Sequence, residues 1–139
     1  MINTDDGSLV FEAGLMVKAG MTQADLIVQF GIDEIDDLEN AWVHLRISEI
    51  RCEDKLFNFT FYCQNGVLKR IQFGFDIPEI VESTSWDDYS EDTQIAIEAA
   101  YDAWLGTQIG DTRKFAWGSI SPFFDRRGGS TNIWVYYND

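Results

Sequence analysis

Five carboxylates lie within seven consecutive positions of the segment "IDEIDDLEN", which covers residues 32–40. These acidic residues are Asp33, Glu34, Asp36, Asp37 and Glu39. Carboxylates at this density could coordinate Ca²⁺, take part in acid–base catalysis or attract a cationic partner. An EF-hand loop starting at Asp33 needs an oxygen ligand at its third position and glycine at its sixth, where the sequence has Ile35 and Leu38. The spacing excludes an EF-hand. It leaves another kind of calcium site, an exposed loop with Ile35 and Leu38 tucked beneath it, or a surface for a positive partner.

A second group of side chains with potential chemistry consists of Trp86, Asp87 and Asp88. Glycoside hydrolysis needs a carboxyl group whose pKa is raised, and an apolar ring beside the carboxyl group can raise it. Adjacent aspartates tend to point apart, and Trp86 also suits a loop anchor. A hydrolase with a carboxylate pair near Trp86 is therefore an alternative to a function in binding.

Histidine and cysteine are scarce, which limits metal and nucleophile chemistry. The sequence has one histidine, His44, and two cysteines, Cys52 and Cys63. In the hairpin that the sequence predicts, Cys52 lies near the turn and Cys63 lies opposite about residue 45, so the thiols are roughly 20 Å apart. We expect no disulfide, no metal, no cofactor and no Cys–His catalysis, and reduced thiols favour the cytoplasm.

The net charge restricts the class of partner. The chain has 24 acidic and 10 basic side chains and a formal charge of −14. Nucleic acids and anionic membranes are polyanions, so neither is expected to bind directly, whereas a basic protein is compatible with this charge. The N-terminal residues show neither the basic start nor the apolar stretch of a signal peptide, and no segment is apolar over a membrane-spanning length.

The strongest structural signal is the alternation of apolar and polar residues over positions 42–75. This period of two predicts three antiparallel strands, with Phe57, Phe59 and Phe61 on the inner face of the second strand. The dipeptide Asn65–Gly66 predicts a tight turn between the second and third strands.

Two helices are predicted from their end signals. Thr22 is a suitable N-cap for the first helix and Gly31 suits its C-terminal end. Ser90 is a suitable N-cap for the second helix, which should end near Gly106 or Gly110. A second hairpin follows, with its turn in "RRGGS".

These elements predict an α+β fold in a single domain of residues 1–139, with an antiparallel sheet of five or more strands and two helices packed on one face. The order of helix and hairpin occurs twice, and the two hairpins share a pattern at an offset of 62 positions. The matched residues are Phe61, Gly66 and Ile71 in the first copy and Phe123, Gly128 and Ile133 in the second. The pattern is compatible with two quasi-repeated helix-plus-hairpin units.

Four aromatic residues fall on predicted outward strand positions: Trp42, Tyr62, Trp134 and Tyr136. Tryptophan and tyrosine are enriched in protein interfaces, where they act as anchors. If the helices cover these rings, the rings belong to the core. If the rings share an uncovered face, they form an anchor surface for a protein partner.

The segment "AGMTQADLIVQFG", residues 19–31, resembles a phrase of small bacterial α+β modules. These modules include the outer-membrane assembly lipoproteins and the β-lactamase-inhibitor-protein fold. The resemblance implies the tandem helix-plus-hairpin architecture already described. The lipoproteins carry a secretion signal with a lipidated cysteine, which this sequence lacks, and this difference argues against a role in the cell envelope.

The overall profile is similar to that of bacterial immunity proteins of toxin systems, including contact-dependent growth inhibition. The shared features are small size, acidic charge, aromatic content and the absence of a recognisable catalytic motif. The resemblance implies a cytoplasmic protein, not an enzyme, that neutralises a cognate basic toxin domain, often a nuclease, by occluding its active surface. We predict partner binding through the carboxylates of residues 33–39 and through residues 86–88. An adaptor or inhibitor module without a charge-driven partner is the further alternative.

Overall fold

The structure is a computed structural model that describes residues 1–78, 80 and 90–138. Its helices are α1 (Gln23–Phe30) and α2 (Glu91–Ile109). Its strands are β1 (Leu9–Val10), β2 (Met16–Val17), β3 (Glu34–Asp37), β4 (Trp42–Cys52), β5 (Lys55–Gln64), β6 (Val67–Phe75), β7 (Lys114–Phe115), β8 (Gly118–Asp125) and β9 (Ser130–Tyr137). Neither helix in this part of the chain combines the length and hydropathy that crossing a lipid bilayer requires.

Seven strands form one antiparallel sheet in the order β3-β4-β5-β6-β9-β8-β7, and β1 pairs with β2 separately. Apart from the edge strand β3, the order is symmetric about the pairing of β6 with β9. Strands β4, β5 and β6 follow α1 along the chain, and β7, β8 and β9 follow α2. The predicted α+β fold is confirmed, and the sheet joins the two hairpins through their last strands.

The central meander forms as its sequence predicts. Asn65 and Gly66 have φ angles of 52° and 79°, which the tight turn between β5 and β6 requires. Phe57, Phe59 and Phe61 alternate along β5, and each is at most 2% exposed. The period of two therefore places one side of the meander in the core.

The helix ends also follow the predicted signals. The Thr22 hydroxyl accepts a hydrogen bond from a backbone N–H in the first turn of α1, and the Ser90 hydroxyl does the same for α2. Gly31 ends α1 with φ 64°, a left-handed conformation that glycine adopts at low cost. Helix α2 continues to Gly110, the later of the two predicted ends.

Both helices pack on the same side of the sheet. The Phe30 ring of α1 lies 5.5 Å from the Phe61 ring, and the Trp104 ring of α2 lies 5.7 Å from the Phe57 ring. Because Phe57 and Phe61 point to one side of β5, this side is the covered inner face. The opposite side is called the outer face. Its side chains include Trp42, His44, Arg46, Tyr62, Arg70, Gln72, Trp134 and Tyr136.

The acidic segment was predicted to be a loop, but part of it forms a strand. Residues Glu34–Asp37 form β3, an edge strand paired with β4. Ile35 and Leu38 are not tucked beneath it, since they remain 41% and 49% exposed. The backbone pairing with β4 supports a strand in which only Ile35 is a usual β-forming residue and the other three residues are acidic.

The cysteines are free and buried, although the predicted register is wrong at Cys63. Cys52 lies near the turn, as predicted, but opposite Lys55 and not Leu56. This register, together with a bulge between Ile47 and Ile50, places Cys63 opposite Val43.

The two suggested repeat units have equivalent places in the strand topology, but the side chains at matched sequence positions differ in pairing and in burial. Ile71 is paired with Phe61, whereas its counterpart Ile133 is paired with Pro122. Phe61 is buried, but Phe123, its counterpart in the sequence pattern, is 56% exposed. The two hairpins therefore occupy equivalent places in the sheet with a register that differs by one residue.

Candidate partner-binding face

One row of side chains crosses the outer face through five neighbouring strands. In register order the row contains Asp36, His44, Tyr62, Arg70 and Tyr136. Residues that lie directly opposite each other in an antiparallel sheet point to the same side. The topology thus places an acid, two phenol rings, an imidazole and a guanidinium side by side, although they are far apart in sequence.

The aromatic rings of this face are in contact with one another. The rings of His44 and Tyr62 are 4.1 Å apart, and those of Tyr62 and Trp134 are 5.3 Å apart. Trp134 and Tyr136 stack at 5.7 Å with an interplanar angle of 15°. Both helices pack on the inner face, so they do not cover this cluster. The predicted outward residues Trp42, Tyr62, Trp134 and Tyr136 all share the outer face.

Arg70 lies among these rings. Its guanidinium carbon is 4.5 Å from the centre of the Trp42 ring and 5.7 Å from that of the Tyr136 ring. These distances allow cation–π attraction. In the described part of the chain, no hydrogen bond or ion pair is formed by the guanidinium. Among the described residues, only the rings of Trp42 and Tyr136 therefore stabilise its charge.

Arg46 lies in the neighbouring row of the outer face and, unlike Arg70, is paired with carboxylates. Its guanidinium contacts the carboxylate of Asp36 and lies 4.0 Å from that of Glu34. Two of the five predicted acidic residues are thus partly neutralised by a neighbouring strand. All three side chains are exposed, so these ion pairs add little stability.

Two of the remaining acidic residues, Asp37 and Glu39, lie beside the aromatic cluster. Asp37 and Glu39 line the rim of a shallow depression together with Leu38. The other lining residues are Trp42, His44, Tyr62 and Arg70. Neither rim carboxylate has an ion-pair partner among the described residues, and the same holds for Asp33. The acidic segment, residues 33–39, therefore has three carboxylates whose charge a partner could use.

The second predicted group, Trp86, Asp87 and Asp88, lies outside the described residues. Its part in partner binding stays a prediction, and so does the alternative of a hydrolase at this position. Among the residues that the structure does describe, no three His, Cys, Asp or Glu side chains are grouped to hold a metal ion.

The pKa values of His44 and Tyr62, on the outer face, are both shifted toward the uncharged form. Burial, and then the positive charge of Arg46, lower the pKa of His44 below its usual value, and Arg70 adds to this. Burial raises the pKa of Tyr62, whose hydroxyl donates a 2.7 Å hydrogen bond to Gln72. The centre of the face thus combines neutral rings with the cation of Arg70.

The two thiols are poor nucleophiles. Burial raises the pKa of Cys63 to about 11. It also raises the pKa of Cys52, and the nearby carboxylate of Glu53 adds to the effect. Because the thiolate is the reactive form, both residues serve as apolar core side chains.

The fold defines a two-layer α+β protein, and comparison with solved structures identifies a similar one. The chain is similar to a chain of the solved structure of "Rhs1-CT in complex with cognate immunity protein RhsI1", with 14% sequence identity and a TM-score of 0.59. The match covers 99% of this chain and 86% of that chain. The likeness shows the fold alone, and it agrees with the predicted resemblance to toxin-system immunity proteins. The sequence matches no protein-family model and no curated protein.

The sequence prediction did not include Arg70 in the site. The alternation around Ile71 and Phe73 is enough to place Arg70 on the outer side of β6. Its position between Trp42 and Tyr136 depends on the pairing of β6 with β9 and on the twist of the sheet. No local pattern in the sequence carries that information.

Proposed function

We propose that this protein is an immunity protein that neutralises a cognate toxin domain by binding it with the outer face. The observation that carries the proposal is an aromatic cluster that the helices leave uncovered, with unpaired carboxylates along one edge. Aromatic and arginine side chains at the centre with a polar rim are typical of protein interfaces. The similar fold in a complex of a toxin and its immunity protein supports the same reading.

The charge distribution assigns the acidic edge a role in association. The net charge of −14 and the unpaired carboxylates of Asp33, Asp37 and Glu39 would attract lysine and arginine side chains of a basic toxin. Attraction of this kind can raise association rates to about 10⁸–10⁹ M⁻¹s⁻¹ at low salt. The aromatic cluster would then determine how long the complex persists.

The proposed mechanism is occlusion and requires no catalysis by this chain. A nuclease-type toxin uses basic side chains to hold nucleic-acid phosphates, and an acidic protein bound there would exclude the substrate. An immunity protein of this kind acts in the cytoplasm, where its toxin would attack nucleic acid.

Co-expression tests the proposed function directly. The C-terminal domain of the protein encoded immediately upstream of this chain would be expressed with and without the chain. We expect the domain to stop growth when expressed alone, and we expect co-expression to restore growth and allow the two proteins to be purified together. Growth arrest that co-expression does not relieve, with no co-purification, would contradict the proposal.

Charge reversal tests the role of the acidic edge. The variant Asp37→Lys/Glu39→Lys changes two residues that line the depression and have no ion-pair partner among the described residues. The control Asp5→Lys/Asp111→Lys makes the same change in net charge away from this depression. We expect the rim variant to associate about tenfold more slowly than the control at low salt, and we expect the difference to shrink as salt increases. Equal association rates, or a wild-type rate independent of salt, would exclude steering by this edge.

A further inference from the structure

We infer that Arg70 is the receptor for a carboxylate of the toxin, an Asp or Glu side chain that lies within an otherwise basic surface. This inference rests on the proposed function and names the chemistry of the partner at the centre of the outer face. It predicts one specific contact, whereas the acidic edge acts through long-range charge.

The surroundings of Arg70 prepare its guanidinium for a planar acceptor. The rings of Trp42 and Tyr136 restrict the side chain, which lowers the conformational entropy lost on binding. A guanidinium carries five N–H donors in its plane, and aromatic contacts do not use them. A carboxylate can accept two of these hydrogen bonds in parallel.

The neighbouring acids do not already satisfy this cation. Asp37 and Glu39 line the same depression as Arg70, yet neither forms an ion pair with it. Asp36, in the same row, is paired with Arg46. When a partner covers the face and removes water, an unpaired guanidinium would cost several kcal/mol, so the partner must supply an anion.

A protein carboxylate fits this position better than a phosphate does. The formal charge of −14 opposes the approach of a nucleic acid, which carries its phosphates at high density. A basic protein can bring a single carboxylate to Arg70 while its lysine and arginine side chains face Asp37 and Glu39. The outer face therefore has a cation at its centre and anions at one edge, and the expected toxin surface has the reverse pattern.

That reverse pattern is the chemistry of a nuclease active surface. Nucleases that use metal ions hold them with Asp or Glu side chains, and they bind the substrate phosphates with lysine and arginine. Contact between Arg70 and such a carboxylate would compete with the metal ion as well as with the substrate. Occlusion would then act on the catalytic group itself.

The test measures affinity and dissociation rate for the wild-type chain and three variants with the upstream-encoded toxin domain. Arg70→Gln removes the charge, and Arg70→Lys keeps it without the planar donor pair. Arg51→Gln is the matched control, because Arg51 is exposed and has no ring contact among the described residues. Arg51 lies on β4 beside the turn to β5, opposite Leu56 and thus at the other end of β5 from Tyr62, which pairs with Arg70.

We expect Arg70→Gln to weaken binding about 30-fold or more, chiefly through faster dissociation, and Arg70→Lys to weaken it at least about tenfold. Arg51→Gln should stay within about threefold of the wild-type chain. Thermal unfolding of each variant, followed by circular dichroism, verifies that the fold is retained.

A double-mutant cycle identifies the partner group. Each Asp and Glu of the toxin domain would be replaced by Asn or Gln, and we expect one replacement to weaken binding strongly with the wild-type chain but not with Arg70→Gln. Binding by Arg70→Gln within about threefold of wild type, equal losses for Arg51→Gln, or no coupled toxin carboxylate would overturn the inference. In each of these cases the wild-type chain still binds, so the proposed function stands. Failure of the wild-type chain to bind would instead remove the proposed function.

Discussion

The two faces of the sheet use the same strands for different purposes. On β5, Phe57, Phe59 and Phe61 point inward beneath the helices and have no polar atoms in their side chains. Tyr62 on the same strand and Trp134 on β9 point outward, and both carry a polar group at the edge of the ring. Aromatic residues with a polar edge suit a surface that is exposed in one state and buried in another.

Along each strand, the side chains that stabilise the fold and those proposed to contact the partner are one residue apart. Successive side chains alternate between faces, so each strand carries two sets of residues that can vary independently. Inner-face substitutions should lower the free energy of unfolding, and outer-face substitutions should lower affinity for the partner. Single substitutions on each face can test whether stability and affinity are separated in this way.

The largest effect on stability is expected for Phe59→Ala. Phe59 is 2% exposed, and its ring lies 5.2 Å from the rings of Phe11 and Phe73. Removing it should lower the free energy of unfolding by about 3–5 kcal/mol, measured by urea denaturation. Phe59→Leu, which fills more of the space, should lose less. A loss under about 1 kcal/mol for Phe59→Ala would show that the inner face is not the main core.

The next largest effect should appear in binding and belongs to Trp134→Ala. The Trp134 ring contacts those of Tyr62 and Tyr136 on the outer face, so its removal should cost about 1 kcal/mol of stability. Affinity for the toxin domain, measured by titration calorimetry, should fall about 30-fold or more. The control Val28→Ala alters an exposed apolar residue of α1 and should leave affinity unchanged. Equal affinities for the two variants would show that the aromatic cluster of the outer face does not contribute to binding.

A moderate effect, limited to the helix layer, is expected for Thr22→Ala. The Thr22 hydroxyl accepts a hydrogen bond of 3.1 Å from the backbone N–H of Asp25 and caps α1. Its loss should lower the free energy of unfolding by about 1 kcal/mol, whereas Thr22→Ser should retain most of the cap. Toxin affinity should stay within about twofold, because α1 lies on the inner side. A large loss of affinity would mean that the helix layer takes part in binding.

The smallest effect is the pH dependence due to His44. Burial, with Arg46 and Arg70 nearby, lowers the pKa of folded His44 below the usual 6.5, although Asp36 opposes the shift. The unfolded chain therefore takes up the proton first, and stability should decline as the pH falls below about 6.5. Urea unfolding at pH 7.5 and 5.5 should show a smaller decline for His44→Gln than for the wild-type chain. An identical decline would contradict a neutral His44 in the folded state.

Local features of the fold could be predicted from the sequence. The alternation along β4, β5 and β6, the turn at Asn65–Gly66 and the caps at Thr22 and Ser90 each depend on interactions within a few residues. The pairing of β6 with β9 depends on contacts between distant segments, whereas β3 pairs with β4, the next strand along the chain. The segment that forms β3 has one β-branched residue, Ile35, and its other three residues are acidic, which is unusual in a strand.

The site could be predicted in part for the same reason. The outward positions of Trp42, Tyr62, Trp134 and Tyr136 follow from alternation within each strand. Whether those positions stay uncovered depends on the side on which the helices pack. Residue types alone did not indicate that Arg46 pairs with Asp36, that Asp37 has no ion-pair partner among the described residues, or that Arg70 lies between aromatic rings, because each depends on tertiary structure.

The most direct test of the outer face as the binding surface uses the tryptophans as probes. The chain would be labelled with 5-fluorotryptophan, and each ¹⁹F signal assigned by a single Trp→Phe substitution. Trp42 and Trp134 lie on the outer face, whereas Trp104 packs on the inner face and Trp117 stacks on Phe115 near the N-terminal segment.

On addition of the toxin domain, we expect the signals of Trp42 and Trp134 to shift and to become protected from a soluble paramagnetic agent. The signals of Trp104 and Trp117 should remain unchanged. Shifts and protection confined to Trp104 or Trp117, with Trp42 and Trp134 still accessible in the complex, would contradict binding through the outer face.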